Sequence, residues 1–282
     1  MAHEQIRPSS PSMCLLRSYG TTKMTHLEAA LLGIIQGLTE FFPVSSSGHL
    51  ALGQSLMGIE TGDVTFEVIV HFGTLLAVIT VLRRRIWALI VGFFQGNPAD
   101  LKMVGLLAIG SVPAAIVGFT LEDSIGGIFA SPWTVSLLLA VTGLVLFSTR
   151  NLVGERMANS FGGGIAMGVA QAAAILPGIS RSGMTIAVGM WCRIDAGEAA
   201  AFSFMLAIPV IAGPTALKLA ALLGGEVGTE SWSVLLVGAI TAYAAGVVSI
   251  RWLLSILARG ELSRFAYYCW AVGLIGCIAF WE

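Results

Sequence analysis

The chain has 282 residues, 56% of them hydrophobic and only 11% charged, with a mean hydropathy of +0.86. Values so far from those of soluble domains place it in a membrane. A net charge of −1, with no face of clustered Lys and Arg, excludes nucleic acid as a partner. The four cysteines, Cys14, Cys192, Cys269 and Cys277, lack metal-ligand spacing and read as small hydrophobes.

Residues 1 to 24 are polar, carry Arg7, Arg17 and Lys23, and lead into no apolar run that ends in a small-residue cleavage site. They read as a disordered tail, or as the product of a start codon upstream of Met24. The apolar stretch at 26 to 57 is cut by Glu40-Phe41-Phe42-Pro43-Val44-Ser45-Ser46-Ser47-Gly48-His49-Leu50-Ala51. Each arm is too short for the roughly 20 residues that a crossing needs, which predicts a re-entrant helical hairpin. Non-helical backbone at that depth survives only where protein or a wet cavity surrounds it. Crossings are predicted at 64 to 82, 101 to 120 and 131 to 149, followed by a linker at 150 to 160. Gly162-Gly163-Gly164, with no Lys behind it, reads as a flexible entry rather than a phosphate loop. A second broken stretch at 161 to 192 is cut by Pro177-Gly178-Ile179-Ser180-Arg181-Ser182-Gly183-Met184-Thr185, and three more crossings are expected at 197 to 222, 231 to 257 and 262 to 281.

Gly33, Gln36, Ser45, Ser47 and Gly48 recur as Gly168, Gln171, Ser180, Ser182 and Gly183, at a constant offset of 135. Loop charge fixes the relation between the halves, because cytoplasmic loops carry the excess of Lys and Arg. Arg83, Arg84, Arg85 and Lys102, then Arg150 with Arg156, Arg193, and Arg259 with Arg264 mark the cytoplasmic side. The loops with Glu60 and Asp63, Glu122 and Asp123, and Glu226 and Glu230 lack Lys and Arg and belong outside, as does Trp281-Glu282. Only two hairpins entering from opposite faces keep this pattern, although the basic residues of the tail run against an outer N-terminus. The expected fold is an all-α polytopic membrane protein with an inverted-topology repeat, six transmembrane helices and two re-entrant helical hairpins. It is one membrane domain, 25 to 282, with repeats at 25 to 150 and 160 to 282. Inverted repeats place a shared site near the bilayer midplane.

Gln36 and Glu40 lie a turn apart on one helical face, and their oxygens suit Mg²⁺ or Ca²⁺. Arg181, between two serines at a helix start, forms an anion site with the free N–H groups and dipole there. An unpaired charge at the centre of a span costs roughly 2.5–3.5 kcal/mol on insertion scales, so Glu40 and Arg181 demand a functional reason. His49 follows Ser45 and Ser46 at helical spacing and suits acid–base work. His71, flanked by Val70 and Phe72 in the first crossing, reads as a satisfied core residue.

Gln36-Gly-Leu-Thr-Glu40-Phe-Phe-Pro-Val-Ser-Ser-Ser-Gly-His49 and Pro177-Gly-Ile-Ser-Arg181-Ser-Gly-Met-Thr185 resemble the two signature motifs of the undecaprenyl-diphosphatase family, also called bacitracin resistance protein. The resemblance runs from about residue 26 to the C-terminus and takes in Thr65-Phe66-Glu67-Val68 and Glu198 to Phe204. It implies hydrolysis of undecaprenyl diphosphate with a divalent metal, at a site open to the periplasmic side of the bacterial inner membrane. By the same resemblance, Glu40 and Gln36 bind metal, and Gln36 takes the neutral option where the family has Glu or Gln. Arg181 clamps the diphosphate, His49 is the acid–base group and Ser46 is a candidate nucleophile, with attack by water left open. Ser45, Ser47, Ser180, Ser182, Thr185 and Gln171 are expected to surround the substrate. The expected partners are the polyprenyl diphosphate lipid and membrane lipids, with a homodimer as a possible assembly.

A transporter or flippase of a polyprenyl phosphate lipid would use the same anion site and the same architecture. The metal pair and the His beside hydroxyls favour catalysis. A haloperoxidase-like lipid phosphatase is excluded because Ala187 stands where that class needs a His after the Arg. A scaffold leaves the doubled polar loops unexplained.

Overall fold

A computed structural model describes residues 24–59, 65–120, 131–155, 157, 160–224 and 230–281. The tail up to 23 with Cys14, the acidic residues Glu60, Asp63, Glu122, Asp123 and Glu226, and Arg156 and Glu282 lie outside the described residues.

Among the described residues every regular element is helical. The first broken stretch forms α1 (His26–Thr39) and α2 (Ser46–Met57), and the second forms α6 (Phe161–Ala173) and α7 (Arg181–Trp191). Between and after them come α3 (Thr65–Phe94), α4 (Pro98–Thr120), α5 (Pro132–Ser148), α8 (Ala196–Leu223), α9 (Trp232–Leu257) and α10 (Phe265–Ala279), the last led in by a 3₁₀ turn at Leu262–Arg264. Among the described residues five helices are long and apolar enough to cross a membrane: α3, α4, α8, α9, and α10 with its leading turn. The architecture is that of a multi-pass membrane protein. The third expected crossing, α5, is apolar but only 17 residues long.

Start signals sit where short polar side chains precede apolar runs. Thr25 and Glu28 form a reciprocal capping box on α1, Ser131 caps α5 ahead of Pro132, and Asp195 caps α8. The first crossing overruns its expected end at 82. Arg83, Arg84 and Arg85 are good helix formers and continue α3 to Phe94, where Gly96 turns the chain with φ 72°. The arginines therefore stand on a helix, and Arg85 forks onto Glu198 of α8 at 3.0 and 2.7 Å. Gly162, Gly163 and Gly164 likewise lie inside α6 rather than forming a flexible entry, with Gly164 pressed against Leu106.

The first helix of each broken stretch packs on a helix from the far half of the chain, α1 along α9 and α6 along α4. The two contacts share a device at repeat-related positions. A Cβ on Gly33 would stand 2.5 Å from the Gly238 carbonyl oxygen, and one on Gly168 would stand 2.6 Å from that of Gly110. Such backbone-to-backbone approach through small residues is how helices associate where lipid removes the hydrophobic drive. The core between the halves contains Phe41, Leu106, Met167, Ile186, Phe202 and Phe204.

Gly33→Leu and Gly168→Leu should each destabilise the detergent-solubilised protein by about 1–3 kcal/mol or more, since neither facing carbonyl can retreat. Gly162→Ala, whose Cβ meets nothing within 4 Å, should raise stability by about 0.5–1 kcal/mol. Thermal unfolding midpoints of the three variants check both outcomes.

Candidate active site

Glu40 caps the C-terminal end of α1, its N–H donating to the Gln36 carbonyl at 2.9 Å. The next two rings fix its direction by splaying apart. Phe41 is fully buried edge-on to Phe204, and Phe42 packs on Trp252 and Phe265. The chain then turns through Ser45, a non-glycine residue at φ 66°, whose side chain accepts from Gly48 N and caps α2.

The second loop repeats this form. Ser180 accepts from Gly183 N and caps α7, and the pairs Ser45–Ser47 and Ser180–Ser182 stand 3.4 and 3.2 Å apart. Thr142 of α5 donates to the Gly178 carbonyl at 2.9 Å and accepts from Ser180 N at 3.1 Å. Gly178 has φ 95°, and a Cβ there would stand 2.3 Å from the Val135 carbonyl oxygen, so no other residue fits. The two tips touch. Gly178 N donates to Ser45 Oγ at 3.1 Å, and Ser182 Oγ donates to the Phe42 carbonyl at 3.2 Å.

Glu40 and Arg181 meet at this junction, the guanidinium pairing with Glu40 Oε1. The other carboxylate oxygen accepts from Ser46 Oγ at 2.5 Å and from Gln36 Nε2 at 3.0 Å, and His71 Nε2 lies 3.6 Å away. The Glu40 and Arg181 side chains are 4% and 16% exposed, so each charge relies on the other. They open onto a cavity of about 320 Å³ whose wall includes Ser45, Ser46, Ser47, Glu67, His71, Gln171 and Ser180, within the usual size of a small-ligand site. Both amide atoms of Gln171 and one terminal nitrogen of Arg181 are buried there without a hydrogen-bond partner. Pro214 in α8 has no N–H for the Val210 carbonyl, and both residues also line the wall. The N-termini of α2 and α7 converge on the same space with their positive dipole ends.

Of the residues expected from sequence, Glu40, Ser45, Ser46, Ser47, Gln171, Ser180 and Arg181 are brought together around the cavity. Four are placed elsewhere. Gln36 is fully buried behind Glu40. Ser182 and Thr185 face inward, Ser182 to the Phe42 carbonyl and Thr185 to Ser203 Oγ at 2.6 Å. His49 turns away: its Nδ1 lies 2.8 Å from the Ser45 carbonyl and its Nε2 2.9 Å from Tyr268 of α10. His71, expected as a core residue, stands in the cavity wall beside Glu40 instead. Periodicity hid it, because a half-buried wall position on α3 looks like core. The available signal was Glu67, one turn earlier on the same face.

The donor set fits a hard cation only in part. Glu40 offers a carboxylate to the cavity, while Gln36 is fully buried behind it, its amide N–H given to that carboxylate and its Oε1 left without a hydrogen-bond partner. Among the described residues no three His, Cys, Asp or Glu side chains are grouped to hold a metal. A divalent ion here would have Glu40 and the oxygens of its ligand, the usual arrangement for Mg²⁺ with phosphates.

Fold and site together define a multi-pass membrane protein with an ion-paired cavity where two broken helical segments meet. The chain belongs to the bacitracin resistance protein BacA family, whose model matches residues 29–275. It is 38% identical to an undecaprenyl-diphosphatase of Desulforapulum autotrophicum, over 89% of this chain and 97% of that protein. It is 39% identical to one of Halothermothrix orenii with the same coverage, and 40% identical to one of Salinibacter ruber over 90% and 98%.

Arg181→Ala should destabilise the protein by about 3–5 kcal/mol, because it strands the Glu40 carboxylate. Adding Glu40→Gln should recover part of that loss without restoring function. Denaturation of the two single variants and the double variant measures the coupling.

Proposed function

We propose that this protein hydrolyses undecaprenyl diphosphate to undecaprenyl phosphate and inorganic phosphate, recycling the lipid carrier of cell-wall synthesis. The observation that carries this reading is the 2.5 Å hydrogen bond from Ser46 to a Glu40 carboxylate held by Arg181, at the point where two helix N-termini converge. Phosphoryl transfer needs mainly positioning and charge neutralisation. A nucleophile, a proton acceptor and an anion clamp are the corresponding parts.

In the mechanism that follows, the terminal phosphate enters between the α2 and α7 N-termini. Arg181 shares its fork between Glu40 and the phosphate oxygens, and the unpartnered amide of Gln171 supplies a further donor. Ser46 Oγ attacks the terminal phosphorus while its proton passes to Glu40 Oε2, and the P–O bond to undecaprenyl phosphate breaks. That leaving group needs little protonation, since a phosphate monoester has a second pKa near 6. Water then attacks the phosphoserine, Glu40 returns its proton to Ser46 Oγ, and inorganic phosphate departs. His71 Nε2 stands 3.6 Å from Glu40 Oε2, beside the oxygen that takes and returns the proton. A divalent cation, Mg²⁺ or Ca²⁺, held by Glu40 and phosphate oxygens would neutralise the diphosphate charge.

The same proposal includes a single membrane domain in the bacterial inner membrane, two re-entrant hairpins, six crossings with α5 as the shortest, and an inverted repeat. Supporting it are the matched serine caps, the matched glycine contacts of Gly33 and Gly168, and the exchange of partners between halves. Charge bias supports a cavity that opens outward. A flippase of the product lipid would share the anion site, but transport alone has no need of a serine bonded to a buried carboxylate.

The purified protein in detergent, supplied with a polyprenyl diphosphate, should release phosphate with Mg²⁺ or Ca²⁺ and lose that activity to chelator. Glu40→Ala, Ser46→Ala and Arg181→Ala should each cost about two decades or more in rate. Undiminished turnover in Ser46→Ala would transfer the attack to water. No release from the unaltered protein, alongside lipid movement in proteoliposomes, would favour the flippase.

A further inference from the structure

We infer that Tyr268, acting through His49, holds the Ser45–Ser46 loop in its reactive shape. This inference rests on the reading of Ser46 as the nucleophile.

Ser45 has φ 66° and ψ 95°, a conformation that costs a non-glycine residue of order 1–3 kcal/mol and persists only where its surroundings over-determine it. Its side chain is fixed by Gly48 N and Gly178 N. Its carbonyl is fixed by His49 twice, through the backbone N–H at 3.1 Å and through the ring Nδ1 at 2.8 Å. A carbonyl only accepts, so Nδ1 carries the proton. In the neutral ring Nε2 is then an acceptor, and the group 2.9 Å from it is the Tyr268 hydroxyl, which donates. The two rings are also stacked, 5.7 Å apart and 10° from parallel. The chain of donors therefore runs from the Tyr268 hydroxyl through the imidazole to the Ser45 carbonyl.

This direction leaves His49 no open nitrogen for proton transfer, and its side chain does not line the cavity. Its role is to orient, as the outer partner of a ligating or reacting group fixes tautomer and direction. The residue so held is one bond sequence away from Ser46, whose hydroxyl must stay within reach of Glu40. Tyr268 lies 219 residues further along the chain, so α10 is coupled to the nucleophile loop of the first half.

Tyr268→Phe keeps the stacked ring and removes only the donor. It should leave the thermal midpoint and KM near those of the unaltered protein and lower kcat about tenfold, the low end for losing an orienting partner. His49→Asn keeps a donor at the Nδ1 position and should match Tyr268→Phe, whereas His49→Ala should fall well below both. The double variant Tyr268→Phe/His49→Asn should be no slower than His49→Asn alone. Nitrogen NMR of histidine-labelled protein should show His49 protonated at Nδ1, with the Nε2 resonance shifted by Tyr268→Phe, and this readout does not depend on the protein being a phosphatase. Unchanged kcat in Tyr268→Phe, His49→Asn as inactive as His49→Ala, or a proton on Nε2 would each overturn the inference. Absence of phosphate release from the unaltered protein, with the NMR signature intact, would remove the proposed function and leave the Tyr268 link standing.

Discussion

The ion pair between Glu40 and Arg181 is the constraint on which the remaining architecture depends. Each group alone would be an expensive charge in an apolar protein, and breaking a buried pair costs more than never having made it. Satisfying it requires the ends of two separate broken helices to occupy one point. The touching tips, the Ser45–Gly178 and Ser182–Phe42 hydrogen bonds and the Thr142 bridge all serve that meeting. The pair also keeps an arginine fork in the cavity wall with one buried nitrogen unpartnered.

Much of the fold was legible because polar residues were written where lipid allows none. The outer ends of both broken stretches lie where the apolar runs begin and end, whereas α2 and α7 start inside the polar clusters, at Ser46 and Arg181, because the serines that break the runs are also the caps of the helices that follow. What failed was local. Three arginines look in sequence like the end of a crossing, but long basic side chains continue a helix while keeping their heads in polar surroundings. A run of three glycines looks flexible in sequence, yet it lies within α6, with Gly163 against Ile194 and Gly164 against Leu106.

The site was legible as a set of residues but not as a geometry. Spacing alone put His49 beside the serines, and the imidazole does lie near them, turned toward a backbone carbonyl and a tyrosine more than two hundred positions away. His71 was hidden by the opposite error, as an apolar neighbourhood in the chain concealed a polar one in space. Gln36 shows a third limit, because a helical face common to two side chains does not say which of them reaches the cavity.

The pairing of α1 with α9 has a consequence for biogenesis. Gly33 and its neighbours leave the ribosome early, but the groove that receives them is translated more than two hundred residues later, a wait of about 10–40 s at ordinary elongation rates. Throughout that interval a short segment carrying Gln36 and Glu40 lacks its helical partner, and for the first 141 residues beyond Glu40 the carboxylate lacks Arg181 as well.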